Sequence, residues 1–126
     1  MAYISTVTNK GLEIINNRIK GDGTAPKYVA WGTGVTEAAV TNTALVTPSA
    51  EARTAGTETI ATTTTTNDTY QVVGSITSLS SQAITEVGLF DALTVGNCFM
   101  RANFAALNLV AGDSIEFTIK CVGDQA

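Results

Sequence analysis

Histidine is absent from this chain. Its absence removes Ser-His-Asp and Cys-His triads, histidine-ligated zinc and the histidine general base together. Only two cysteines are present, Cys98 and Cys121, too few for an all-cysteine zinc site. Charged residues make up 14% of the chain, with 7 Lys and Arg against 11 Asp and Glu, a net charge of −4. A chain so poor in cations is not expected to take nucleic acid as a partner. No apolar run reaches the roughly 18 residues of a membrane span, so no membrane is expected either. Met1–Lys10 lacks the basic start and apolar stretch of a secretion signal. Both cysteines accordingly read as free, buried thiols, and the Asn67-Asp68-Thr69 sequon as unused.

What is present suits one domain over residues 1–126. Apolar residues form 44% of the chain, a globular value, while aromatics are only 6%. Charge is unevenly placed. Residues 1–27 carry Lys10, Arg18, Lys20 and Lys27 against Glu13 and Asp22, a net +2, and the remainder carries a net −6. We divide the domain into an N-terminal helical segment, 1–26, and a β-sandwich or jelly roll, 27–126.

The helix is well marked. Thr8 is placed to cap it, Val7 and Leu12 have the spacing of a hydrophobic staple, and Gly21 follows Lys20 as a C-terminal glycine. Leu12, Ile15 and Ile19 predict its apolar stripe. Gly11 stands where a capping box wants Glu or Gln.

After Gly21 the pattern takes period two. Strands are predicted over 27–33, 57–66, 70–77, 83–91, 98–106 and 114–122. The threonine-rich run 57–66 reads as an edge strand. Ser114–Val122 alternates most cleanly, with Ile115, Phe117, Ile119 and Cys121 inward. Residues 35–55 read as a long surface loop, longer than compact domains usually carry without a role. The fold class is therefore all-β: a sandwich or jelly roll of six to seven or more antiparallel strands with one short N-terminal helix.

The chain offers little for catalysis. Most carboxylates fall on turns, loops or outward faces, and no spacing supports a paired-carboxylate site. Glu86 stands in an otherwise apolar strand. We read it as structural, paired with Arg101 on the adjacent strand, since a buried carboxylate needs a cation or several donors. Glu86 and Asp91 are the only candidates for an enzyme. Trp31-Gly32-Thr33-Gly34 holds a lone GxG, without the residues of a phosphate loop. Tyr28 and Trp31 read first as core aromatics; the alternative of another class is a carbohydrate-binding module using Tyr28, Trp31 or the threonine-rich face. No catalytic, cofactor-binding or metal-binding residue is assigned, no cofactor is expected, and the chain is expected not to be an enzyme.

Ile84-Thr85-Glu86-Val87-Gly88-Leu89-Phe90-Asp91 resembles a strand of tail-collar fibre proteins of tailed bacteriophages, and Met100-Arg101-Ala102-Asn103-Phe104 resembles the strand that follows it. Ala111–Phe117 is similar to their closing strand and Tyr28–Gly34 to their opening one. The resemblance spans about residues 28–122, apart from the 35–55 loop. With no shaft or receptor-binding region in its 126 residues, the chain resembles more closely the small decoration, or cement, proteins of phage heads. That resemblance implies a virion structural protein made in the host bacterial cytoplasm. It would sit on the capsid surface as a homo-oligomer, dimer or trimer, clamping the major capsid protein. The long loop and N-terminal segment would be its arms. A tail, baseplate-collar or fibre-adaptor protein is the alternative. No individual binding residue carries over, because the matched motifs are scaffold strands.

Overall fold

The computed structural model describes residues 4–123. Its strands are β1 (Ile4–Val7), β2 (Tyr28–Gly32), β3 (Thr54–Ala55), β4 (Thr57–Ala61), β5 (Thr69–Thr77), β6 (Gln82–Phe90), β7 (Cys98–Leu109) and β8 (Ser114–Val122), with one helix, α1 (Asn9–Lys20). They form a five-stranded sheet ordered β1-β7-β6-β2-β3 and a three-stranded sheet ordered β4-β5-β8. Every pairing is antiparallel. The all-β class is as the period-two pattern predicts, with β1 and β3 added to the six strands legible in the sequence.

The two sheets share one apolar interior. Val29, Trp31, Val87, Leu89 and Met100 face it from the larger sheet, and Val72 and Ile76 from the smaller. Phe117 of β8 sets its ring edge-on to Trp31, with centroids 6.4 Å apart, a geometry that suits the aromatic quadrupoles. At one side the chain itself closes the sandwich. β3 pairs with β2, β4 pairs with β5, and Gly56 alone turns between them. Its amide donates to the Lys27 carbonyl at 2.7 Å, and a Cβ there would fall 2.5 Å from a Val72 methyl. At the other side β1 and β8 are sheet edges, with no corner strand between them among the described residues.

The N-terminal segment is built into this body. β1 pairs with β7 from Ile4 opposite Asn103 to Val7 opposite Met100. Thr8 caps α1 by accepting from the Gly11 amide, and its hydroxyl donates to the Cys98 carbonyl. Gly21 ends the helix in the left-handed region, φ 100°, where glycine is favoured. The helix stripe differs from expectation. Gly11 and Ile14 are buried and Ile15 half-buried, while Leu12 and Ile19 stay exposed. The reason is Gly11, whose Cβ would collide with the Phe99 carbonyl oxygen. The helix seats on backbone at that point, which rotates the buried face toward Ile14.

The threonine-rich run also divides. Its first half is β4, an exposed edge strand as predicted, and its second half is a turn. Asp68 holds that turn by accepting from the amides of Thr63, Thr64 and Thr65 at 2.8–2.9 Å. These three bonds, Thr65 first, hold its carboxyl well below the usual range.

Candidate functional site

The larger sheet is covered on both faces. Its inner face meets β5 and β8. Its outer face carries Ala30, Gly32, Glu86, Gly88, Phe90, Arg101 and Asn103, and the long β2–β3 connection folds down over it. The small residues Ala30, Gly32 and Gly88 let that loop approach. Leu45 from the loop is buried against Ala30, Phe90 and Cys98 in a second small core. The segment expected to reach outward as an arm is thus bound to its own sheet.

Glu86 and Arg101 organise this contact. Gly88 lies opposite Arg101 and has no side chain, and Asn103 lies opposite Glu86. The guanidinium therefore crosses diagonally to the carboxylate, Nε to Oε1 at 2.8 Å, with both side chains fully buried. The Gly34, Val46 and Thr47 amides donate to the same carboxylate at 2.8–2.9 Å. Arg101 also donates to the Thr36 carbonyl at 2.8 Å and to Asn42 Oδ1 at 3.2 Å. Burial raises the Glu86 carboxyl, and the Thr47, Val46 and Gly34 amides with Arg101 outweigh it, so the group is lowered overall. The predicted Glu86–Arg101 pair is present, and its loop partners are what the sequence did not disclose.

The lone GxG acquires a definite meaning here. Gly34 N–H donates to Glu86, and a Cβ at Gly34 or Gly32 would fall 2.5 or 2.7 Å from Glu86 Oε2. These glycines cradle the chain's own carboxylate. Thr85 and Asn103 add a hydroxyl to the Gly34 carbonyl at 2.7 Å and an acceptor for the Ala38 amide at 2.7 Å. The loop also reaches the helix, its Val40 carbonyl accepting from the Asn9 amide at 2.7 Å.

Glu51, which gave no signal in the sequence, anchors the far end of the loop. It accepts from the Trp31 indole, the Leu79 amide and the Gln82 amide nitrogen at 2.8–2.9 Å. Burial raises its carboxyl, but these bonds prevail and hold it at about 2. Arg53 stacks on the Phe90 ring at 3.7 Å and donates to the Ala92 and Val95 carbonyls, pinning the β6–β7 turn.

The other candidates are likewise accounted for. Asp91 closes the same turn by accepting from the Asn97 amide at 2.7 Å. Trp31 is 2% exposed and belongs to the core, so the alternative of a sugar-stacking platform built on it does not form. Cys98 and Cys121 are free thiols, Cys98 buried and Cys121 half-buried. Burial pushes the Cys98 thiol up to about 12, which keeps it protonated and unreactive. Among the described residues, every buried side-chain polar atom has a hydrogen-bond partner, and no three His, Cys, Asp or Glu gather as metal ligands. No helix among them is long and apolar enough to cross a membrane.

The open β1/β8 side holds an apolar cavity of about 310 Å³, lined by Leu89, Met100, Phe104, Ile115, Phe117 and Ile119 among others. Ser5 and Lys120 stand among its lining residues from the two edge strands.

A family-model match over residues 4–123 places the chain among the structural proteins of phage virions. The model of the family described as podophage GP4 fiber I protein gp80 matches residues 4–123, and the chain belongs to that family. No curated protein and no solved structure matches it.

Proposed function

We propose that the chain is a structural subunit of a virion fibre, acting through its surfaces and not through a chemical centre. The family match across residues 4–123 carries this reading. Supporting it, Glu86 and Asp91, the only enzymatic candidates, are engaged in holding a loop and a turn. The fold answers what a particle component needs, a body that keeps its shape while its edges and faces meet neighbours.

The test is copy number per purified particle, by quantitative mass spectrometry against the major capsid protein. A fibre subunit is expected at a few dozen copies or fewer, set by the symmetry of the tail. Hundreds of copies would overturn the fibre reading and favour a head decoration protein, with the major capsid protein as partner. Absence from the particle would overturn both.

A further inference from the structure

Strand β8 is bonded to β5 along one side, and its other side meets no strand among the described residues. No proline, glycine or bulge interrupts it, and its register with β5 runs unbroken from Ser114 to Val122. Native edges usually carry such interruptions. The direction of its free backbone groups follows from two bonds. Gly123 N–H donates to the Asp68 carbonyl at 2.8 Å, and Ser78 N–H to the Asp113 carbonyl at 2.7 Å. Odd-numbered residues of this strand therefore bond toward β5. By alternation, the amides and carbonyls of Ser114, Glu116, Thr118, Lys120 and Val122 face the free edge. Along the same edge Ile115, Phe117 and Ile119 are only half-buried over the apolar cavity.

The geometry points to a second copy of this chain as the occupant, with β8 pairing antiparallel to its own counterpart about a two-fold axis at Thr118. In that register every outward-facing residue meets another outward-facing residue, so each pair exchanges two backbone hydrogen bonds. Glu116 lies opposite Lys120 of the second copy, and Lys120 opposite its Glu116, on the solvent face. The neighbouring registers lack this match. An axis at Glu116 or Lys120 sets like charges against each other, and an axis at Phe117 or Ile119 sets each charge against an uncharged residue. Charge thus selects one register of a self-complementary edge, as a two-fold interface requires. On the inner face Phe117 meets Ile119 of the second copy, which extends the half-buried apolar row across the axis. The two three-stranded sheets become one six-stranded sheet. The inference holds wherever in the particle the chain sits, and its failure would leave the copy-number test untouched.

The experiment is sedimentation equilibrium on the purified full chain, with circular dichroism to verify folding. Glu116 and Lys120 are exposed, so their substitution leaves the monomer's core intact. The wild-type chain is expected as a dimer. Glu116→Lys alone and Lys120→Glu alone are each expected to weaken self-association roughly tenfold or more, because two attractive pairs become repulsive. The double variant Glu116→Lys with Lys120→Glu restores the opposition and is expected to restore the dimer. A monomeric wild-type chain would overturn the proposal and leave the edge to a strand of another virion protein. A trimer would overturn it as well, as would a dimer unmoved by either single substitution or unrestored in the double variant.

Discussion

At the scale of single residues, the buried ion pair is the point on which the outer face depends. Taking Glu86 and Arg101 out of water is costly, and the arrangement holds because every donor aimed at the carboxylate is in place. Removing one partner leaves a buried charge without its counter-charge. We expect Arg101→Met to cost about 3–5 kcal/mol in denaturant unfolding, since it strands Glu86. The Gly34, Val46 and Thr47 amides should then lose hydrogen-exchange protection first. An unchanged unfolding midpoint would show that the pair contributes no net stability. Glu51 gives a second, separable signal. Its carboxyl is lowered from the ordinary 4.5 to about 2, so it binds fewer protons in the folded state than in the unfolded one between those values. Its contribution is therefore complete above about pH 4.5 and lost as pH falls toward about 2. Glu51→Gln should be less stable than wild type at neutral pH, and the difference should shrink steadily below pH 4.5 in thermal unfolding. A gap constant with pH would assign the loss to geometry instead of charge.

At the scale of elements, legibility tracks how an element earns its burial. β5 and β8 follow closely the ranges predicted from alternation, because each buries one face and wets the other. β6 reads as an apolar strand interrupted by Glu86, because both its faces are covered, one by sheet and one by the loop that Glu86 binds. β1 and β3 escape detection, being four and two residues long, too short for a period to show. The caps locate the helix but its apolar pattern does not give the buried face, since Gly11 counts as no apolar residue and yet seats directly on the Phe99 backbone. The Glu86–Arg101 pair was readable because a carboxylate in an apolar strand demands a cation. Its loop partners were not, because most of them are backbone amides and carbonyls, which every residue possesses. The seating of the helix allows a test with opposed signs. Gly→Ala in a helix interior normally gains about 0.8–1.0 kcal/mol. At position 11 the new methyl would collide with the Phe99 carbonyl. Gly11→Ala is therefore expected to destabilise by about 1–3 kcal/mol, and a rise in the unfolding midpoint would show that the helix is not held against β7.

At the scale of the whole molecule, the question is whether the N-terminal segment is an arm or a wall. Charge and composition divide the chain near residue 27, which suggests an appendage on a separate β-body. The pairings do not follow that division. β1 covers one edge of β7, Thr8 bonds to the backbone of Cys98 and Phe99, and Ile14 joins the main core beside Val29 and Phe99. Asn9 further ties the segment to the long loop, and the loop is tied to Glu86 and Arg101, so helix, loop and outer sheet face form one connected layer. Deleting residues 1–20 would expose Phe99 and the β7 edge and would remove a fixed point of the loop. We expect the truncated chain to lose cooperative unfolding or to aggregate through that new edge, with the near-ultraviolet circular dichroism of Trp31 reduced. A truncated chain that unfolds at the wild-type midpoint would mean that the β-body is self-sufficient. In that case the segment would be available after all to reach a neighbour in the particle. The deletion thus separates two designs for a virion subunit, one that binds with a detachable arm and one that offers only the faces and edges of a closed body.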